Sequence, residues 1–503
     1  MNHLTSHVQR ALDHEAKLLK LSFSLEEKNK RKLRLVNPNF INFVEPKSVA
    51  IVGASTTPGK LGYVVVENLF NIGYKGKIYP VNPKGGELLG LKIFENVKKI
   101  PEVVDVAHVL IPAAAVLGVV KDLAEMGVKN VVISSGGFTE VDEEGAKMQD
   151  EIVKTAKEAG MRIIGPNTTG VISAPANFST TFTNVDELRV GGASYVAQTG
   201  NFGSVTLTWI MTKEHFGISR VIGLGNKCDI DDADALEFLG EDTKTKVIGM
   251  YIEGLKDGRR FIEAGKKAVK RKPVLVLKSG RTKAGAKAAA SHTASLAADD
   301  AIVDSALRQS GVIRVDNYGD LVNYAKAFIF QPPPKGNRVG IITPSGGLGV
   351  VTSDALETRG LKVATLSENT IKKFEEISPP IIEVRNPFDI WPAVSNHGLE
   401  KCYECGLKGM LEDPNVDAVL MGLMLAKGWD LENIDPLIDT LMKHPNKPVI
   451  SYGSGDWQLT EKLKTKFEKH KKVRIPMYEF PEQASDVISA MYKYTDSVNR
   501  IKS

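Results

Sequence analysis

The sequence is short of cysteine: Cys228, Cys402 and Cys405 are the only three in 503 residues. So few thiols cannot frame a disulfide-built fold, and they fit a reducing, cytoplasmic setting. Cys402-x-x-Cys405 has no second such pair, which makes zinc or redox chemistry a poor reading, and no metal site is expected. The chain also lacks a strong charge imbalance. Its net charge is +5, and no run of lysine and arginine is interleaved with aromatics, which argues against nucleic acid. No apolar run approaches the roughly 20 residues needed to cross a bilayer. The N-terminal "MNHLTSHVQRALDHEAKLLKLSF" has no apolar core of the kind a signal peptide carries.

What the chain does have is length and a rhythm. At 503 residues it exceeds a single core, and length alone suggests about three domains. Residues 1–44 read as an N-terminal extension. From residue 48 short apolar runs alternate with amphipathic stretches. "SVAIVGAS", "GKIYPVNP", "VDVAHVLIP", "NVVISSGG" and "MRIIGPN" read as buried strands, and 142–159 as a helix between two of them. The rhythm restarts with "GGASYVAQTG", "SRVIGLGNK", "KVIGMYIEG", "KPVLVLKSG" and "GVIRVDN". It is interrupted by "QPPPKG" at 331–336, where three prolines make a stiff connector. "NRVGIITPSGG", "LKVATL", "VDAVLMGLML", "KPVISYGSG" and "RIPMYEFP" form a third set. Continuous apolar strands alternating with helices are the pattern of parallel sheets covered on both faces. The expected fold is therefore α/β, with three doubly wound domains over 45–180, 188–330 and 337–503. In such sheets ligands sit beyond the carboxyl ends of the strands.

The glycine-rich turns fall at those ends. "VGASTTPGKLG" carries Gly53, Ser55, Gly59, Lys60 and Gly62 at the first strand-to-helix turn. It is not G-x-G-x-x-G, but its glycines let backbone N–H groups approach a phosphate, and Lys60 adds charge. "VNPKGG" exposes Lys84 at the next strand end, and Ile111-Pro112 close the third. Three such turns on one crevice suggest nucleotide-like phosphate binding; a plain βα turn is the alternative for each. "QTGNFG" opens the second set with Thr199, Gly200 and Asn201. "TPSGG" opens the third with Ser345, Gly346 and Gly347. Each offers a helix N-terminus to an anion.

Two further residues carry chemistry. Glu253 follows directly on an apolar strand, where a carboxylate meets the mouth of the crevice. His292 lies in "AAASHTASLAA", a run of the smallest side chains, with room for a bulky group on its ring. A carboxylate bonded to one ring nitrogen fixes the tautomer and leaves the other free as nucleophile.

Taken in order, "VGAS…PGKLG", "VNPK", "GPN", "QTGNFG", "GLGNKCDID", "YIEG…DGRRF", "KSGRT…GAKAAASHTASLA", "GVIRVD" and "NPFDI" resemble the NDP-forming acyl-CoA synthetases. That is the superfamily of succinyl-CoA synthetase, and the match is nearest to the α subunit of ADP-forming acetyl-CoA synthetase. The resemblance covers about residues 45 to 495. It implies a Rossmann-like CoA-binding domain followed by two flavodoxin-like domains. CoA would lie on Gly53, Ser55, Lys60, Gly62, Lys84, Ile111 and Pro112. His292 would be phosphorylated, with Glu253 on its ring. Thr199, Gly200 and Asn201 on one helix and Ser345, Gly346 and Gly347 on another would receive the phosphoryl group. The implied reaction interconverts acyl-CoA, ADP and phosphate with a carboxylic acid, CoA and ATP, through an acyl phosphate. ATP or ADP with magnesium would sit on a separate ATP-grasp β subunit, since all three domains are already assigned. Ala294 and Ala298 stand where the family has glycine, and Thr168 where it has cysteine. The alternative is a non-catalytic subunit that binds CoA or acyl-CoA for regulation or scaffolding.

Overall fold

The computed structural model describes residues 40–200, 202–293 and 299–502, with the backbone alone at 202, 204 and 290–293. Residues 1–39 of the expected N-terminal extension, together with Asn201, Ala294 and Ala298, lie outside the described residues.

The first run of apolar segments forms five strands: β1 (Ser48–Val52), β2 (Lys77–Val81), β3 (Val106–Val109), β4 (Asn130–Ile133) and β5 (Arg162–Ile164). They pair in parallel in the order β2-β1-β3-β4-β5. Every residue of β1, β3 and β4 is buried, as expected of strands covered on both faces. The helix expected over 142–159 spans Glu143–Glu158, and Asp142 caps it by accepting from the Gly145 N–H at 2.8 Å. Strand order reverses between β1 and β3, so a crevice opens beyond their carboxyl ends.

The second sheet holds β6 (Val171–Ser173), β7 (Phe178–Ser179), β8 (Val190–Ala197), β9 (Ile218–Gly223), β10 (Val247–Ile252), β11 (Val274–Lys278) and β12 (Ile313–Val315). Its order is β12-β11-β10-β8-β9-β6-β7. The strands from β8 onward are parallel to their neighbours, but β6 pairs antiparallel with β9, and β7 antiparallel with β6. The segment 171–179, grouped by its position in the sequence with the first domain, thus belongs by pairing to the second sheet. Two- and three-residue strands carry too little periodicity to declare a sheet.

The third sheet contains β13 (Arg338–Thr343), β14 (Lys362–Val363), β15 (Phe388–Asp389), β16 (Ala418–Leu425), β17 (Val449–Gly455) and β18 (Met477–Tyr478). It runs β14-β13-β16-β17-β18, with β15 also paired to β13.

The first sheet has its own core, built from Ala50, Val109, Val131, Phe138 and Ile163 among others. The second and third share one. Leu275, Leu277 and Leu321 belong to the same cluster as Ile341, Leu420, Tyr452 and Met491, the last from the C-terminal helix Pro481–Lys502. Burying this common apolar surface holds the two sheets together. A buried ion cluster reinforces the seam. Lys326, on helix Tyr318–Phe330, stands 2.9 Å from Glu468 Oε1 and 3.2 Å from Glu214 Oε2. The connector 331–336 is pinned as well. The Gln331 side chain donates to Arg474 O at 2.5 Å and accepts from Val449 N at 3.0 Å, and Thr495 Oγ1 donates to Pro334 O.

Candidate functional site

The three turns expected to meet on one crevice do so. β1, β2 and β3 are neighbours, and the residues following them are Gly53–Gly62, Asn82–Lys84 and Ile111–Pro112. Gly53 and Ala54 donate their N–H groups to Val81 O. Asn82 Nδ2 donates to Ala54 O at 2.7 Å, and Asn82 Oδ1 accepts from the Lys84 N–H at 3.0 Å. Ser135 Oγ bonds both the N–H and the carbonyl of Ile111 and braces the third turn. A Cβ on Gly62 would stand 2.0 Å from Gly53 O, so only glycine lets this helix start so close to the turn. Ser55 Oγ accepts from Thr57 N at 3.1 Å, and Lys60 and Lys84 are exposed.

Helix Leu61–Asn71 begins at Lys60 and helix Ala113–Glu125 at Pro112, and neither has a side-chain cap. Tyr63 N and Ala115 N bond back to Lys60 O and Pro112 O, but no side chain blocks either N-terminus, and both dipoles favour negative charge. Two uncapped helix N-termini and two lysines at adjoining strand ends suit a ligand that carries phosphate.

A second group of residues gathers on the second sheet. β8 and β10 are neighbours, so Gln198, Thr199 and Gly200 lie beside Glu253. Glu253 is 4% exposed, and its N–H donates to Gln198 Oε1 at 2.9 Å. Lys227 Nζ donates to the same Gln198 Oε1 at 3.0 Å, to Gly254 O at 2.8 Å and to Asp232 Oδ2 at 2.9 Å. Lys227 therefore holds the Glu253 turn from two sides. The Lys227 backbone is left-handed, with φ 54°, an uncommon state for a residue with a long side chain. Gly225 makes the approach possible, because a Cβ there would stand 2.1 Å from Pro166 O. Thr168 donates to Gly223 O at 2.7 Å and accepts from Gly170 N at 3.0 Å. Its hydroxyl ties the "GPN" turn to the second sheet.

Gln198 and Lys227 were not singled out from sequence, although "QTGNFG" and "GLGNKCDID" contain them. Their task appears only when residues 29 and 55 positions apart in the chain become neighbours. Replacing Gln198 with Leu should leave the Lys227 and Glu253 donors short of an acceptor. The expected cost is about 1–3 kcal/mol, read from thermal denaturation against the parent chain.

His292 lies in helix Lys283–Thr293, near its C-terminal end. Arg281, just before that helix, pairs with Asp316 at 2.8 Å. On the third sheet Ser345 caps helix Gly346–Glu357, its Oγ accepting from Leu348 N at 3.4 Å. Asp389 lies against this turn: a Cβ on Gly346 would stand 3.3 Å from its Oδ2. That carboxylate opposes a bare anion, so the 343–347 turn is electrostatically less open than the turns of the first domain. Among the described residues no group of three or more His, Cys, Asp and Glu side chains is placed to hold a metal ion. No helix among them is long and apolar enough to cross a membrane.

Comparison with known proteins divides the chain into three matched domains. Residues 47–174 match the model of a CoA binding domain, and 190–328 that of a succinyl-CoA ligase like flavodoxin domain. Residues 339–502 match a Ligase-CoA domain. The chain is 39% identical to the acetate–CoA ligase [ADP-forming] I subunit alpha of Pyrococcus furiosus, over 90% of this chain and 96% of that one. It is also 39% identical to acetate–CoA ligase [ADP-forming] II of Archaeoglobus fulgidus, over 91% of this chain and 67% of that one. A dinucleotide-forming acetyl-coenzyme A synthetase 1 of Ca. Korarchaeum cryptofilum, solved with phosphate and ADP, superposes with a TM-score of 0.85 at 34% identity. That match covers 92% of this chain and 98% of the other. With three family models in the expected order and a 39%-identical relative aligned along 96% of its length, this chain belongs to the NDP-forming acyl-CoA synthetase family.

Proposed function

We propose that this protein is the α subunit of an ADP-forming acyl-CoA synthetase. It would convert acyl-CoA, ADP and phosphate to carboxylic acid, CoA and ATP, and the reverse. The observation that carries this reading is the pair of half-sites on adjoining domains: two uncapped helix N-termini with Lys60 and Lys84, and the buried Gln198–Lys227–Glu253 network. CoA would bind on Gly53, Ser55, Lys60, Gly62, Lys84, Ile111 and Pro112 within 45–180. Phosphate attacks the thioester carbonyl, and the thiolate of CoA leaves with the electron pair and takes up a proton. The acyl phosphate then phosphorylates His292, with Glu253 fixing the ring. Positioning and charge stabilisation supply most of such a transfer. Thr199, Gly200 and Asn201, and Ser345, Gly346 and Gly347, would receive the phosphoryl group at its two stations. Nucleotide and magnesium would sit on a separate ATP-grasp β subunit, in keeping with the match along 96% of a relative named subunit alpha. A cytoplasmic setting accords with the three free thiols.

The test is incubation with labelled phosphate and a panel of acyl-CoAs, with and without the partner that co-purifies, followed by mapping of the labelled residue. Label on His292 with one acyl group preferred is the expected result. CoA binding without any label would favour a regulatory CoA-binding subunit.

A further inference from the structure

Lys278 is a buried lysine that the reading above leaves without a task. It ends β11 and is 1% exposed. Its ammonium has three protons to donate and, among the described residues, makes one hydrogen bond, to the carbonyl of the adjacent Ser279. No carboxylate of a described residue lies within ion-pair distance of it. Asp300 is the carboxylate whose charge acts on it most, and both its oxygens are taken by Arg314 Nη2, at 2.7 and 2.9 Å. Burial pushes the Lys278 ammonium below its ordinary pKa. An apolar side chain of the same length would fill this place at less cost.

Its position says what the charge is for. In register, Lys278 pairs with Ile252, the residue before Glu253. β10 in turn pairs with β8, whose end leads to Thr199 and Gly200. Three successive strands, about 4.8 Å apart, therefore end in Lys278, Glu253 and the 198–200 turn. Helix Lys283–Thr293 returns over the same edge: a Cβ on Gly280 would stand 3.4 Å from Ala289 Cβ. Position 292 follows one turn later in that helix.

We propose that Lys278 supplies the positive charge that binds inorganic phosphate, and then the phosphoryl group, at the second-domain station. This rests on the phosphohistidine reading. In the transfer, the bond from phosphorus to a ring nitrogen of His292 forms as the bond from phosphorus to the acyl oxygen breaks. The electron pair leaves with the carboxylate. Lys278 stays protonated, forms no covalent bond and offsets charge on the phosphoryl oxygens.

The test uses the full chain with its partner and compares Lys278→Met with Lys278→Arg. The methionine variant is expected to raise KM for inorganic phosphate at least about tenfold, as loss of a charge-assisted contact does. KM for acyl-CoA should stay unchanged, and Tm should rise, because a poorly satisfied buried charge is gone. Lys278→Arg, which keeps the charge, should hold the phosphate KM closer to the parent value. An unchanged phosphate KM in Lys278→Met overturns the inference. So does a lowered Tm or a failure to fold, either of which would make Lys278 a brace. The parent chain is labelled in parallel. If it takes no label on His292, the phosphohistidine reading fails and this inference with it. If it is labelled and the methionine variant behaves like it, this inference alone fails.

Discussion

His292→Ala is expected to leave no base-stable, acid-labile phosphoenzyme and to lower acyl-CoA-dependent ATP formation by at least about a thousandfold. Covalent catalysis splits one difficult transfer into two easier ones, so losing the nucleophile removes both. CoA affinity should not change. The residues assigned to CoA follow β1, β2 and β3 in the first sheet, whereas His292 is carried by the helix after β11 in the second. The change should also be gentle to the fold, since alanine is the strongest helix former and this helix already holds Ala288, Ala289 and Ala290. Phosphoenzyme yield, CoA titration and thermal denaturation measured on one preparation separate these effects. Turnover retained by the variant would exclude the phosphohistidine.

Lys326→Met is expected to destabilise the chain by about 3–5 kcal/mol, the range seen when one partner of a buried ion cluster is removed. Lys326, Glu214 and Glu468 are each no more than 3% exposed. The ammonium also donates to Met477 O at 3.4 Å and lies 4.7 Å from the centre of the Tyr478 ring. Burial alone would raise the Glu214 carboxyl, but the charges of Lys326 and Lys464 outweigh it and hold its pKa below the ordinary value. For Glu468 burial prevails and the pKa is raised. In the variant, burial acts on both carboxyls without the lysine opposite. Their folded pKa values then lie above the unfolded ones. The penalty is greatest at neutral pH and shrinks as pH falls towards the unfolded carboxyl range near about 4.3. Denaturant midpoints at pH 7 and pH 5 should therefore differ less from the parent at pH 5. An equal deficit at both pH values would exclude this account. Adding Glu214→Gln and Glu468→Gln should recover part of the loss.

The sheets were legible because their central strands are almost wholly buried. "VAIV", "VLVL" and "VLMGLML" are apolar runs too short for a helix, each followed by a turn signal. The antiparallel edge formed by β6 and β7 was not legible, since two or three residues cannot show a period. Glu253 could be found because its strand ends there and a carboxylate is conspicuous. Lys278 ends its strand in the same way, yet in sequence a lysine before Ser-Gly reads as a solvated turn. Only the register with Ile252 and the covering elements show that it is buried. Gln198 and Lys227 were hidden for a related reason. Each lies inside a recognisable turn motif, but the bond they share is made across 29 residues of chain. The common core of the second and third sheets could not be read either, because an apolar face does not say which sheet will cover it. The proline connector lies between two matched domain models, and their sheets nevertheless share one core.

That shared core has a mechanical consequence. On the phosphohistidine reading, the phosphoryl group would pass between the turns at 199–201 and 345–347. Three prolines between two domains look like the place where the molecule would bend. Bending there would tear Leu321 from its cluster with Leu420 and Tyr452, break the Lys326–Glu468 pair and free Gln331 from Val449. The second and third sheets are therefore better regarded as a single stator than as two arms. On that reading, any journey of the phosphoryl group would be left to the element that carries it.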